Sequence, residues 1–358
     1  PLYPVRYTFS PYTVSDPPAV LAGKYQTGDL LYRITKVENL LDTALTAVET
    51  RELSTPADLV NLAERINSGD RDAQRYKYVL ACDLDMTGVA FRPIGTNERL
   101  MPFEDFRDPT RAGFNAVLDG QGHTIRNLTV SVSAPVAPER PLYGGLFARI
   151  GERGTVKNLI LKDCTVTLPM KWVPEANDSA AGLLAGRVDG TVSGVTVSGS
   201  VTGNAQIGGL AGIIGGYDVG GAQVSDCRAE QVLVSGNSTV GGLAGLIQGG
   251  RVTRCAVTGE VRAIPNLAKE TPGAIGGFAG HAIEAKLVAD CASSVTIKTM
   301  VTSSWVGAFM GGCEGRGGTV YTNRYDLTKA PGWKIIDYSY VYDNSPAPDV
   351  RGVSSAEV

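Results

Sequence analysis

The sequence predicts an all-β solenoid of about six or more stacked coils with a capping helix at its N-terminal end. The first observation is a phrase of small residues around a Leu or Phe, which occurs six times between Gly144 and Phe309. The second is its spacing of 37, 27, 33, 35 and 31 residues, within the roughly 20–50 residues that indicate a solenoid. The third is a strand-like segment after each phrase. The apolar positions are Leu146, Leu183, Leu210, Leu243, Phe278 and Phe309.

Each repeat continues from its small residues into segments that alternate like β-strands. In 155–163, 191–199 and 251–259, Val, Leu and Thr recur between Gly, Asn and charged residues. This pattern favours strands over helices. Three short strands with turns fit one repeat, and stacked coils then rise by about 4.8 Å each. We expect the glycines where a coil turns sharply and the backbone needs positive φ.

Three cysteines occupy equivalent places in the repeats and are predicted to form one inward column. They are Cys227, Cys255 and Cys291, aligned with Leu159 and Val195. A metal or disulfide set is one interpretation. Buried reduced thiols that pack as small apolar residues are the favoured one, because the separations are coil periods and not the short spacings of a zinc site. The other cysteines show no pairing pattern: Cys82, Cys164 and Cys313.

A helix is predicted before the repeats, over residues 56–68. Thr55 is a suitable N-cap, Pro56 suits the first helical position, and Gly69 ends the helix. Asp58 stands in the first turn. Because the ends of a solenoid expose unpaired strands, we expect this helix to cover the first coil. Its apolar stripe consists of Leu59, Leu62, Ala63 and Ile66.

The phrase Gly-Gly-Leu-Ala-Gly, which occurs at 208–212 and 241–245, followed by a strand, Asn/Asp-Cys and a second strand, resembles the GLUG repeat of bacterial surface proteins. That repeat also occurs upstream of the catalytic domain in bacterial immunoglobulin A zinc peptidases. The resemblance covers about 52–312. It implies a right-handed parallel β-helix in an extracellular or cell-surface protein. It implies no particular activity, because one fold serves many functions.

Four regions are expected on this basis. Residues 1–51 form an N-terminal extension that is part of the cap, and 52–143 hold the capping helix and the first irregular coils. Residues 144–312 are the GLUG-type repeats, and 313–358 form a C-terminal cap and linker. Alternation over Tyr3–Phe9 suggests a strand, whereas 33–50 are compatible with a short helix or with part of the cap. We expect the chain to belong to a longer multidomain protein.

Composition limits the partners. The net charge of −3 argues against a nucleic-acid partner. The sequence contains no run of about 18 apolar residues, so no membrane-spanning helix is predicted. Six cysteines without a pairing pattern do not indicate an oxidising compartment, so the extracellular assignment depends on the resemblance.

Candidate catalytic residues are few. Asp226 and Asp290 occupy equivalent places, but two coils separate them, and their column also holds Asn158, Gly194 and Arg254. That mixture is typical of a solvated turn. The two histidines, His123 and His281, do not form the His-Glu-x-x-His motif of a zinc peptidase. No metal site or cofactor is predicted. If calcium binds, the paired oxygens of Asp83 and Asp85 are the first candidates, whereas a structural role is favoured for both and for Asp119.

Long insertions between coils are the predicted binding loops, since insertions in a solenoid often lie on its binding face. Residues 168–178 contain Lys171 and Trp172, and 94–113 contain Phe103 and Arg107. A third insertion spans 264–272. Aromatic rings in such loops can stack on sugars or anchor a protein. The alternative is that these loops only cover the coils.

The leading hypothesis is a non-catalytic binding, adhesion or spacer module that recognises a host glycan or surface protein. Two alternatives remain. One is a polysaccharide-degrading enzyme, a lyase or glycoside hydrolase, with carboxylates and Lys or Arg on one face. The other is the N-terminal region of an immunoglobulin A peptidase.

Overall fold

The computed structural model describes residues 5–13, 30–39, 49–96, 113–132, 142–169, 179–216, 221–264, 273–299, 305–315, 320–329, 331–341 and 348–356. The chain divides into two compact units, Pro1–Glu49 and Thr50–Val358. In the first unit, strands Val5–Thr13 and Leu30–Asn39 pair antiparallel. The strand predicted near the N-terminus is present. For residues 33–50 a short helix or part of the cap was expected, and the first of these residues belong to the strand Leu30–Asn39.

The second unit is a parallel β-helix, which confirms the predicted fold class. In the described residues each repeat contributes in turn to three parallel sheets, here called sheets 1, 2 and 3. Sheet 1 consists of Tyr143–Gly144, Phe147–Ile150, Ala180–Ala181, Ala185–Val188, Gln206–Gly208, Ala211–Gly215, Thr239–Gly241, Ala244–Gln248, Ala274–Gly276, Ala279–Ile283, Trp305–Gly315 and Lys334–Val341.

The other two sheets complete each coil. Sheet 2 consists of Thr50–Leu53, Lys77–Leu80, Val117–Asp119, Thr155–Lys157, Thr191–Ser193, Gln223–Ser225, Arg251–Thr253, Leu287–Ala289 and Val320–Tyr321. Sheet 3 consists of Leu84–Asp85, Thr124–Arg126, Thr129–Ser131, Ile160–Thr167, Thr196–Gly203, Arg228–Gly236, Ala256–Ala263, Ala292–Thr299, Asn323–Asp326 and Val350–Val353. Strand pairing therefore continues to Val353.

The core is a stack of equivalent apolar residues. All six apolar residues of the small-residue phrase have 0% exposure, so they form the predicted inward ladder. The last two rungs, Phe278 and Phe309, stack with ring centroids 4.7 Å apart. Valines of sheet 2, such as Val156 and Val192, line another side of the same core. Repetition of one buried position per coil thus produces a continuous core.

The glycines of the phrase serve close packing, and the expectation of positive φ is wrong for most of them. Gly209 and Gly242 are not at positive φ. A Cβ at Gly209 would lie 2.3 Å from the carbonyl oxygen of Gly242, and one at Gly242 would lie 2.2 Å from that of Gly277. Within each coil the two sheet 1 strands also pass close together, since a Cβ at Gly208 would lie 2.1 Å from the Ala211 carbonyl. Backbone leaves no room for a side chain there.

Helix α1, Pro56–Asn67, confirms the predicted cap in detail. Thr55 accepts a hydrogen bond from the Asp58 backbone N–H, and Asp58 in turn accepts from the Thr55 backbone N–H, so the two form a capping box. Gly69 follows the helix with φ of +81°. The buried helix residues are the predicted stripe, and they join the same hydrophobic core as the coils: Leu59, Leu62, Ala63 and Ile66.

A column of left-handed residues marks the turn between sheets 2 and 3. Asn158, Gly194, Asp226, Arg254 and Asp290 have φ between +51° and +60°. The next residue along the chain faces inward, and the cysteine column is confirmed as buried, with 0 to 1% exposure at all three positions. No described helix is long and apolar enough to cross a membrane.

Candidate functional site

The residues predicted to bind a ligand, Lys171, Trp172, Phe103 and Arg107, lie outside the described residues. The neighbouring strands show where their segments begin and end. Segment 170–178 stands between Ile160–Thr167 of sheet 3 and Ala180–Ala181 of sheet 1. Segment 265–272 stands between the equivalent strands three coils further on, Ala256–Ala263 and Ala274–Gly276. Two of the three insertions therefore start from one corner, between sheets 3 and 1.

The third insertion starts elsewhere. Segment 97–112 is flanked by Ile94 and Phe114, which form bridges with Phe147 and Ile150 of sheet 1. The loop that carries Phe103 and Arg107 thus interrupts the first coil beside Arg149 and does not begin at the corner of the other two. The four predicted binding residues are divided between two places in the chain path.

The acidic turn residues form local pairs. Arg254 donates two hydrogen bonds to Asp226, at 2.7 and 2.8 Å, and this contact lowers the pKa of Asp226. Asp290 accepts a hydrogen bond of 2.7 Å from the Thr322 hydroxyl. Because Arg254 lies in the coil between the two carboxylates, they are not placed as an acid and nucleophile pair. The interpretation of this column as a solvated turn is confirmed.

The other acidic candidates also hold turns. Asp83 accepts from the Thr124 backbone N–H at 2.9 Å and lies 3.3 Å from His123 Nδ1. Asp85 accepts from Thr87, Asn127 and Arg126, which lower its pKa. Asp119 accepts from the Gln121 backbone N–H and from Asn158. Among the described residues no three His, Cys, Asp or Glu side chains are grouped as for a metal.

Sheet 1 carries a buried ion triad that the sequence analysis missed. Arg149 Nε lies 2.5 Å and Arg187 Nε 2.9 Å from the carboxylate of Asp189, whose side chain is 0% exposed. Although burial opposes it, the Asp189 charge raises the pKa of Arg187. Arg149 and Arg187 are register partners on neighbouring strands, so one carboxylate lies between two cations and the triad keeps a net charge of +1. The Arg149 end of this triad adjoins the residues that flank segment 97–112.

A second cluster combines aromatic and ionisable groups at the C-terminal end of sheet 1. We call Trp305, Tyr338, His281 and Glu314 the Trp305 cluster. Trp305 and Tyr338 stack with centroids 4.2 Å apart, and His281 meets Trp305 edge-on at 5.7 Å. His281 Nε2 lies 3.2 Å from Glu314 Oε1 without the angle of a hydrogen bond, so the contact is electrostatic. Burial lowers the pKa of His281, although Glu314 opposes the shift.

Gly312 and the last strand make this arrangement possible. A Cβ at Gly312 would lie 2.8 Å from the His281 ring and 3.3 Å from Trp305, so glycine leaves the space that both rings occupy. Tyr340, two residues after Tyr338, projects to the same side of its strand and is 54% exposed. Glu314 and Tyr340 are register partners. The cluster therefore continues into an exposed aromatic surface beside a carboxylate.

The repeat period by itself does not predict this cluster. Trp305 and Tyr338 are 33 residues apart, but the register partner of Tyr338 is Gly312, so the two rings do not occupy equivalent positions in neighbouring coils. His281 likewise has no partner within its own repeat, and the fold brings Trp305 and Glu314 to it.

Comparison with known proteins identifies the repeat. The model of the family described as the GLUG motif matches residues 236–262. The chain carries a GLUG motif. The matched GLUG coil contains Gly241, Gly242 and the inward Leu243, together with the tight sheet 1 packing described above.

Two similar proteins extend this result. Over 173 residues, or 48% of the chain, the sequence is 32% identical to halomucin of Haloquadratum walsbyi, and the match spans 2% of halomucin's length. The crystal structure of a Bacteroides ovatus protein proposed to be an immunoglobulin A1 protease superposes with a TM-score of 0.52 at 15% identity, over 86% of this chain and 85% of that one. At that identity the second match supports the shared fold alone.

Proposed function

We propose that this GLUG-repeat β-helix is a non-catalytic recognition module, displayed outside the cell or on its surface, that binds a glycan of a host or neighbouring cell. The module type is supported by the GLUG motif and by the similarity to halomucin. The partner class is supported by the Trp305 cluster and Tyr340. Aromatic rings stack on the apolar faces of sugars, and nearby carboxylate and imidazole groups bond to sugar hydroxyls.

Tyr340 and Glu314 are the side chains of this surface best placed to meet a ligand. Tyr340 is half exposed, and the Glu314 side chain is 26% exposed. Trp305 and His281 lie deeper and support them from behind. The corner between sheets 3 and 1 supplies a second candidate surface, because two insertions start there. We propose that Lys171 and Trp172 of that corner, and Phe103 with Arg107 of the first coil, contact the ligand in addition.

A glycan array tests this proposal with the whole chain and single variants. Tyr340→Ala and Glu314→Gln are each expected to weaken binding of the recognised glycan by roughly 1 kcal/mol or more, about fivefold to tenfold. Trp172→Ala reports on the corner in the same assay. Trp333→Ala is the matched control, since Trp333 is another exposed aromatic residue, at 36%, outside the cluster. Binding of no glycan, or equal binding by all variants, would contradict the proposal.

Two alternative functions have distinct tests. The acid and base groups best suited to polysaccharide cleavage in the described residues are Glu260, Arg262 and Lys298 on adjacent strands of sheet 3. Lys298 and Arg262 lower the pKa of Glu260, so it is ionised at neutral pH and ill suited as a general acid. Release of sugar fragments that stops in Glu260→Gln would favour the enzyme.

The peptidase-region alternative comes from the shared fold with the Bacteroides ovatus protein. Binding of immunoglobulin A1, unaffected by Tyr340→Ala or Glu314→Gln and uncompeted by glycans, would favour that alternative over glycan recognition.

A further inference from the structure

A pocket at the turn between sheets 2 and 3 lies in the last coils, apart from the Trp305 cluster. It has a volume of about 270 Å³ and is lined by Asp290, Thr322, Asn323, Arg324 and Arg351. This is close to the lower end of the range for small-molecule sites, roughly 300 Å³. Two arginines and one carboxylate thus meet in a space of the size of a single small ligand.

The arginines of this pocket are held side by side. Arg324 and Arg351 are register partners on neighbouring parallel strands, so their side chains leave the sheet on the same side about 4.8 Å apart. Arg351 has a contact of 3.4 Å to Asp349, and its side chain remains 77% exposed. The planar guanidinium fork suits carboxylate and sulfate oxygens, and an anion that meets both guanidinium groups is attracted by two positive charges at once.

Asp290 adds a hydrogen-bond acceptor to the lining of the pocket. Its Oδ1 accepts from the Thr322 hydroxyl at 2.7 Å. Asn323 is 0% exposed and is held by the Cys291 backbone N–H and the Val288 carbonyl. Its side chain therefore positions the turn and does not compete for the ligand.

The backbone beside the pocket is strained. Thr322 has φ of +55°. The corresponding positions in earlier coils hold Asn158, Gly194, Asp226, Arg254 and Asp290, none of which is β-branched, and a β-branched side chain tolerates this conformation poorly. Such strain persists where the surrounding structure enforces it and is often associated with binding sites. Here it brings the Thr322 hydroxyl within hydrogen-bond distance of Asp290, and both residues line the pocket.

From these features we infer that the pocket binds an acidic sugar residue, whose carboxylate or sulfate meets Arg324 and Arg351 while a ring hydroxyl donates to Asp290. This inference deepens the proposed glycan recognition and depends on it for its biological setting. The binding chemistry itself depends only on the pocket. A single negatively charged unit within a longer glycan would then select among the chains that the aromatic surface accepts.

Calorimetric titration of the whole chain tests the inference with three oligosaccharides of equal length: neutral, glucuronate-terminated and sulfated. The two acidic probes separate carboxylate from sulfate as the recognised group. We expect at least one acidic probe to bind roughly tenfold tighter than the neutral one, an advantage that 0.5 M NaCl reduces. Arg324→Gln/Arg351→Gln removes this advantage and leaves neutral binding unchanged. Arg254→Gln is the matched control, because Arg254 is exposed in the same turn column and paired with Asp226.

The outcomes separate this inference from the proposed function. Equal affinity for acidic and neutral probes, or an acidic advantage retained in the double variant, overturns the acidic-sugar site even if Tyr340-dependent glycan binding persists. If binding of the acidic probes needs the two arginines but not Tyr340, the acidic-sugar site is supported and the proposed role of the aromatic surface is contradicted. A melting temperature of the double variant equal to that of the unchanged protein shows that the variant folds. Arg351→Lys keeps the positive charge without the guanidinium fork, so it should lose part of the affinity advantage for the acidic probes.

Discussion

At the scale of single residues, buried charge separates this protein from a simple apolar solenoid. Asp189 is enclosed with Arg149 and Arg187, whereas the similar pair of Asp226 and Arg254 stands in solvent, with half of each side chain exposed. Removing a carboxylate from a buried cluster leaves uncompensated cations, but removing one from an exposed pair leaves cations that water solvates. The same interaction type therefore has different consequences in the two places.

Asp189→Ala is expected to lower the free energy of unfolding by about 3–5 kcal/mol, because it removes the buried carboxylate that compensates the charges of Arg149 and Arg187. Asp226→Asn, the exposed counterpart that keeps a residue type suited to φ of +56°, should lower it by less than about 1 kcal/mol. Urea denaturation followed by circular dichroism measures both. Equal losses in the two variants would show that the triad is not buried as described.

His281 is predicted to make stability depend on pH. Its pKa in the folded protein is lowered by burial, so the unfolded chain takes up a proton more readily than the folded one. Stability from this group is therefore fully present above the unfolded pKa of about 6.5 and falls as the pH drops below it. Melting temperatures between pH 8 and pH 5 should decline less steeply for His281→Asn than for the unchanged protein. Parallel declines would indicate that other groups govern this range.

At the scale of elements, the glycines of the phrase allow two strands and a neighbouring coil to pass within contact distance. Positive φ is needed instead at the turn column, where asparagine, aspartate and arginine occupy it at a local cost. The helix cap behaves as its residues predict, because capping depends on neighbours three positions apart. Elements governed by local geometry, such as the helix cap, were thus predictable from the sequence. The glycines of the phrase were attributed to positive φ, whereas the structure shows that close backbone packing between coils requires them.

Gly242→Ala is expected to destabilise the protein by about 1–3 kcal/mol or more, because the added Cβ meets the Gly277 carbonyl at 2.2 Å. Gly221→Ala is the control, since Gly221 is not at positive φ and its nearest neighbour would lie 4.0 Å away. Thermal unfolding compares the two. A stable Gly242→Ala variant would refute close packing as the reason for the phrase.

At the scale of the whole molecule, stacking makes one core from many short strands, and it hides most of the cysteines. Of the six, only Cys82 is exposed. Burial raises the pKa of Cys164 and of Cys313 to about 11, which disfavours the reactive thiolate. The cysteine column lies in the same interior as the leucine ladder. Thiol chemistry therefore reports on the integrity of the whole solenoid.

Titration of the native protein with a thiol reagent should modify one cysteine rapidly, and Cys82→Ser should abolish that reaction. All six should react in denaturant. Mass spectrometry identifies the modified residues. Rapid native labelling of Cys227, Cys255 or Cys291 would show that the coils open locally and would count against a single continuous core.

By itself the sequence determined the coil, its inward ladder, the cysteine column and the capping helix, because each follows from a period or from contacts a few residues apart. The tertiary structure alone decided which distant residues meet. Asp189 joins Arg149 across one coil, His281 meets Glu314 and Trp305, and Arg324 stands beside Arg351. Those contacts depend on the register between coils of unequal length, and no single repeat contains both partners. The candidate surfaces for binding therefore emerged only when the coils were stacked.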